Sequence, residues 1–131
     1  KIDRIIKENN LNKNIEFIKP TLHIKEIYEL SYLVINISIR PEGFGRTVSE
    51  ALSMSCPVIA PNMGGTKEQL ENFNSKLLFD IKSFKSFYKA LEYAINNHKE
   101  VSKNARSFVK ESYSANLMCK NTLEIYQNLI N

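Results

Sequence analysis

Two glutamates, Glu42 and Glu50, stand eight positions apart in the stretch Arg40-Pro-Glu-Gly-Phe-Gly-Arg-Thr-Val-Ser-Glu50, with Gly43 and Gly45 between them. Glycines let a backbone come close to a bound group. The free N–H groups at the start of a following helix point at the same place and favour a phosphate there. A carboxylate accepts hydrogen bonds and repels phosphate, so neither glutamate suits the phosphate and both suit hydroxyls. Their spacing separates the two carboxylates by at most about 12 Å if the segment is helical throughout. One sugar ring on each side of a diphosphate satisfies the layout, a ribose at one glutamate and a hexose at the other. Arg40 and Arg46 are further candidates for phosphate contact, and solvated or salt-bridged arginines are an equal reading of both.

The other residues that could do chemistry are sparse. Cys56 and Cys119 lie far apart, His23 and His98 are isolated, and Asp3 and Asp80 are the only aspartates. None of these stands at metal-ligand spacing, and there is no Asp-x-Asp motif of the kind that holds a metal-bound diphosphate. The segment is therefore expected to need no metal and no cofactor. A phospho-receiver module is excluded as well, since it needs an acidic cluster at the first strand and the chain has only Asp3 and Asp80. Two unpaired cysteines imply a reducing compartment and two small core residues. His23 reads as a surface or capping residue, and Tyr28, Tyr88, Tyr93 and Phe84 read as core.

Strands alternating with helices must position the glutamates. Ile15–Ile18, Leu33–Ile37, Pro57–Ala60 and Lys76–Phe79 read as strands, the second β-branched and nearly continuous, as a strand buried on both faces is. Ile2–Ile6, Leu22–Leu30, Thr47–Ser53, a helix of one or two turns from Thr66 to Leu70, Ser83–Asn97, Val101–Glu111 and Ser114–Ile130 read as helices. Ser38 to Gly45 is a loop, and Pro61-Asn-Met-Gly-Gly65 a glycine turn. Without a hairpin signal, this alternation predicts a single α/β domain: a Rossmann-like parallel sheet of about four strands flanked by helices. In such sheets ligands bind outside the carboxyl ends of the strands, which is where the Gly43–Gly45 loop falls.

The chain of 131 residues, 43% hydrophobic and 24% charged, has the size and balance of one globular domain. No apolar run approaches the roughly 20 residues of a membrane-spanning helix, and the opening residues do not resemble a signal peptide. The net charge of +4 is spread over lysines interleaved with glutamates, which excludes a nucleic-acid stripe. A cytoplasmic location is expected, with peripheral attachment to the inner membrane face compatible with the basic balance. The chain opens at Lys1 in mid-pattern without an initiator Met, as a piece of a longer protein would.

The run EGFGRTVSEALSMSCPVIAPNMGGTKE, from Glu42 to Glu68, closely resembles the donor-binding C-terminal domain of GT-B glycosyltransferases of the retaining "group 1" or GT4 type. The resemblance covers about Ile15 to Phe79, and it rests on the paired glutamates together with the glycines, the Glu-Ala-Leu helix, the Cys-Pro-Val-Ile-Ala strand and the Gly-Gly turn. It implies that the residue at Glu50 holds the ribose of a UDP-, GDP- or ADP-sugar and that Glu42 contacts the donor sugar. It also implies that the Gly43-Phe44-Gly45 backbone meets sugar and diphosphate, that Thr47 lies near the phosphates, and that Pro20 and Thr21 lie near the base. Ser55 and Lys76 stand where the family commonly has glycine. The family's phosphate-binding Arg and Lys, the strand carrying them and the acceptor-binding N-terminal domain are expected before Lys1. The segment alone is accordingly expected to be a monomer without transfer activity. A GT-B-like nucleotide-sugar epimerase and a non-catalytic nucleotide-sugar-binding module are the alternative readings.

Overall fold

The computed structural model describes residues 2–130. Three parallel strands, β1 (Val34–Ile35), β2 (Val58–Pro61) and β3 (Leu78–Phe79), lie in that order, with Val34 opposite Val58 and Ala60 opposite Leu78. Every residue of β2 is buried, whereas Leu33–Ile37, expected to be buried on both faces, supplies β1 with Ile35 and Ile37 exposed. Because successive side chains point to opposite faces, a strand buried at every position is covered on both. The ladder runs on past the strand ends, with Asn36 N–H donating to the Ile59 carbonyl at 3.0 Å and Asn62 N–H to Phe79 at 2.8 Å.

Seven helices surround the sheet among the described residues: α1 (Ile2–Glu8), α2 (Ile24–Leu30), α3 (Arg46–Ser53), α4 (Gly64–Asn74), α5 (Phe84–Asn96), α6 (His98–Tyr113) and α7 (Ala115–Ile130). Helices α3, α4 and α5 all touch β2. In α3, Val48, Ala51 and Leu52 are fully buried, the three- and four-residue spacing that forms one face of a helix. Small residues on α6, Val101 and Ala105, are buried in the same core, and α6 lies against α3. Ser83 caps α5, its hydroxyl accepting from Ser86 N–H at 3.2 Å. Helix α3 ends with Ser55 N–H on the Leu52 carbonyl and Cys56 N–H on Ala51, both at 3.0 Å, and with Ser55 at φ 60°. That is the paired-bond helix ending in which the left-handed position ordinarily belongs to glycine.

Several expectations are corrected. The sheet has three strands rather than four: Ile15–Ile18 forms no ladder, and Phe17 and Ile18 are more than half exposed. β-branched composition makes a segment fit to be a strand, but backbone groups need a neighbour to pair with, and the described residues set none beside this segment. Helix α4 runs from Gly64 to Asn74, beyond both ends of the one- or two-turn helix expected from Thr66 to Leu70, and α6 begins at His98 rather than Val101. Phe84 and Tyr88 are exposed rather than core, whereas Tyr28 is buried. Cys119 is exposed and only Cys56 is buried, where burial pushes its thiol up from the ordinary value. Helix α7 buries none of its residues, and no described helix is long and apolar enough to cross a membrane.

Candidate functional site

The loop between β1 and α3 leaves the sheet at the carboxyl end of β1, next to the carboxyl end of β2 and the start of α4. Gly45 precedes α3 with φ 81°, a left-handed conformation, and a Cβ there would lie 2.7 Å from Thr66 Cγ2. Gly64, at φ 57°, has equally little room: a Cβ would lie 2.6 Å from the Glu42 carbonyl oxygen. Both glycines are therefore required by backbone conformation and by close approach at once. Gly65 N–H donates to the Glu42 carbonyl at 2.8 Å, which ties the loop to α4.

Glu42 stands on the loop, not on the helix, and one of its oxygens is engaged. Oε1 accepts from Asn36 Nδ2 at 3.1 Å and from the Ser38 hydroxyl. The same asparagine accepts Ser38 N–H on its Oδ1 at 2.9 Å. These donors, Ser38 first and Asn36 second, hold the Glu42 carboxyl below its ordinary value, with burial opposing them. Among the described residues no protein donor reaches Oε2, so it remains open to a ligand hydroxyl.

Glu50 lies in the second turn of α3, one turn after Arg46. Its Oε1 takes both Arg46 Nε at 3.1 Å and Arg46 Nη2 at 2.8 Å, and the Tyr28 hydroxyl lies 3.4 Å from Oε2. Burial, and then the charge of Glu50, push the Tyr28 phenol up from its ordinary value, so it stays protonated and donates. A cleft of about 690 Å³ opens over this group, lined by Lys19, Pro20, Thr21, Ile24, Arg46 and Glu50 among others. It is apolar on the α2 side and charged on the α3 side, which suits a flat ring with a hydroxylated arm.

Of the residues singled out from sequence, Pro20, Thr21, Arg46 and Glu50 thus share one cleft, 25 or more residues of chain apart though the two pairs are. Thr47 faces the Tyr28 hydroxyl from the first turn of α3. Gly43 is exposed on the loop, and the Phe44 ring packs edge-on against Tyr113, with centroids 5.4 Å apart. Arg40 is exposed and makes no hydrogen bond among the described residues. Tyr28, Asn36 and Ser38 escaped the sequence reading. Asn36 carried a signal, a lone amide inside an otherwise apolar strand, while Tyr28 looked like any core aromatic. Among the described residues no three His, Cys, Asp or Glu side chains converge as they would around a metal.

Residues 1–113 match the family model of glycosyl transferases group 1. Over 113 residues the chain is 31% identical to trehalose synthase of Thermococcus litoralis, covering 84% of this chain and 26% of that protein. A glycosyltransferase of Rickettsia africae superimposes with a TM-score of 0.84 at 28% identity, over 99% of this chain and 36% of the other. HepE of Anabaena, solved with UDP and glucose, superimposes with a TM-score of 0.83 at 20% identity over 97% of this chain and 35% of its own. The chain thus spans about a quarter to a third of the length of the relatives it matches. With the fold of GT-B glycosyltransferases and a family match across most of its length, the chain belongs to the group 1 glycosyltransferases.

Proposed function

We propose that this domain binds the donor of a retaining hexosyltransferase, a UDP-, GDP- or ADP-sugar. The observation that carries the reading is the cleft in which Pro20 and Thr21 face Glu50 and Arg46, beside the glycine loop at the start of α3. The base lies against Pro20 and Thr21. The ribose hydroxyls donate to Glu50, and the diphosphate meets the N–H groups of the loop and of the first turn of α3, with Thr47 close by. The hexose donates to the open oxygen of Glu42. Trehalose synthase is named for joining sugars, and the HepE structure is named for UDP and glucose, which supports a nucleotide-sugar donor here.

In this reading parts of the same protein outside this segment complete the enzyme: a separate domain binds the acceptor, and a further strand of the donor-binding domain carries the basic phosphate ligands. Transfer passes through an oxocarbenium-like transition state as the nucleoside diphosphate departs, and preorganised N–H dipoles stabilise the charge that develops on it. No metal held by this segment takes part. Glu42 orients the sugar and forms no covalent bond to it.

Calorimetric titration of the full-length protein tests the assignment. Glu50→Ala weakens sugar nucleotide and free nucleoside diphosphate alike, each about tenfold or more, since charge-assisted bonds to two hydroxyls are lost. Glu42→Ala leaves free nucleoside diphosphate nearly unchanged and lowers turnover, because its contacts count most as the sugar moves toward the transition state. Equal weakening of nucleoside diphosphate by both variants refutes the division of labour.

A further inference from the structure

Helix α4 holds three carbonyls of the loop that carries Glu42. Gly65 N–H takes the Glu42 carbonyl at 2.8 Å. The Gln69 side-chain Nε2 donates to the Phe44 carbonyl and, at 3.2 Å, to the Gly45 carbonyl. No peptide bond among the described residues is cis. In a trans peptide the N–H of the next residue points opposite to the carbonyl before it. With these carbonyls turned to α4, the N–H groups of Gly43, Gly45 and Arg46 turn away from it. Among the described residues none of the three meets a protein acceptor.

Gln69 itself is out of place as a packing residue. It is 1% exposed on the core side of α4, next to Leu70, and its Oε1 has no hydrogen-bond partner. An orphaned buried carbonyl costs free energy that an apolar side chain of the same volume would not. What the glutamine does in return is hold two successive peptide planes across a separation of 24 and 25 residues. The loop has little other freedom there, since Gly45 is closed in by Thr66 on the α4 side.

We propose that Gln69 is a positioning residue for the donor: by taking the Phe44 and Gly45 carbonyls it aims the Gly45 and Arg46 N–H groups at the diphosphate. This rests on the donor-site reading above and adds to it the residue that preorganises the backbone. An unaligned N–H must reorganise before it meets the phosphate, so losing the donor lowers affinity for the charged ligand even when the fold survives.

Two variants of the full-length protein test this, with UDP, GDP and ADP titrated calorimetrically against each and thermal unfolding recorded beside them. Gln69→Met keeps the volume and removes the donor. For whichever nucleotide the wild type binds, Gln69→Met binds about tenfold more weakly while still unfolding cooperatively. Gln69→Glu supplies a readout that packing does not move. Its carboxylate repels the two carbonyls, and its protonated form donates to one of them. The ratio of its Kd to that of the wild type therefore falls as pH is lowered from about 8 to about 5.5. Where Gln69→Met fails to fold, that pH response decides alone. Wild-type binding with both variants within about twofold of it overturns the proposal, and so does a pH-independent ratio for Gln69→Glu. A wild type that binds none of the three nucleotides overturns the donor-site reading instead.

Discussion

Arg46 and Glu50 sit one turn apart on α3, and both guanidinium donors, Nε at 3.1 Å and Nη2 at 2.8 Å, close on the single oxygen Oε1. The side chain of Arg46 is 83% exposed and that of Glu50 34%. An ion pair so exposed contributes little to stability, because water screens it and two side chains must be held still. Its consequence lies in geometry. The arginine keeps the carboxylate in one rotamer and places a cation on the rim of the cleft.

Arg46→Ala is therefore expected to change unfolding free energy by about 0.5 kcal/mol or less, read by urea denaturation. Affinity for the nucleoside diphosphate falls further, by about threefold to tenfold, because a cation beside the phosphates is lost. Repeating the titration in high salt narrows the gap between variant and wild type, since exposed charges are screened. A gap that is unchanged by salt counts against the charge as its cause.

Ser38→Ala tests the clamp on Glu42 by its pH dependence. The Ser38 and Asn36 donors hold the Glu42 carboxyl below its ordinary value of 4.5. A depressed folded-state value contributes stability that is fully present above the unfolded value and is lost as pH falls through the folded one. The wild type's advantage over Ser38→Ala is thus constant from neutral pH down to about pH 5 and shrinks below about pH 4. Urea unfolding across that range reads it. An advantage that grows on acidification contradicts the clamp.

Ser55→Gly is expected to raise stability. Ser55 holds φ 60° where α3 ends, and a side chain in the left-handed region costs roughly 1–2 kcal/mol that glycine avoids. Greater chain entropy of glycine in the unfolded state takes back part of this, leaving a gain of about 0.5–1 kcal/mol. Thermal unfolding measures it as a rise in Tm. No change in nucleotide affinity accompanies it, because Ser55 lies at the far end of α3 from Gly45.

Much of the site was legible from local patterns. The two glycines before an apolar helical face marked the loop and α3, and the run Pro57–Ala60 marked a short strand, although the burial on both faces expected of Leu33–Ile37 belongs to β2 instead. Glu42 and Glu50 stand on that loop and helix as expected. Each of these features is set by a few consecutive residues: a glycine that frees φ, a three- and four-residue apolar spacing, a short apolar run. Where a neighbour distant in sequence was needed, the same reasoning ran out. Ile15–Ile18 has strand composition and no ladder, because pairing belongs to two segments and not to one. Phe84 and Tyr88 have helical spacing and lie exposed, because burial depends on what packs over a face.

The chemistry divides in the same way. The sequence by itself determined which groups are available, two carboxylates, a glycine loop and the start of a helix, since these are properties of residue type and short spacing. Only the tertiary structure decided how each is held. Tyr28 reaches Glu50 across 22 residues, and Gln69 reaches the Phe44 and Gly45 carbonyls across 25 and 24. A hydrogen bond over such separations has no local signature. It exists because α2 packs on α3 and α4 packs against the loop, and the buried apolar surface that brings those helices together carries no record of which polar atoms will meet.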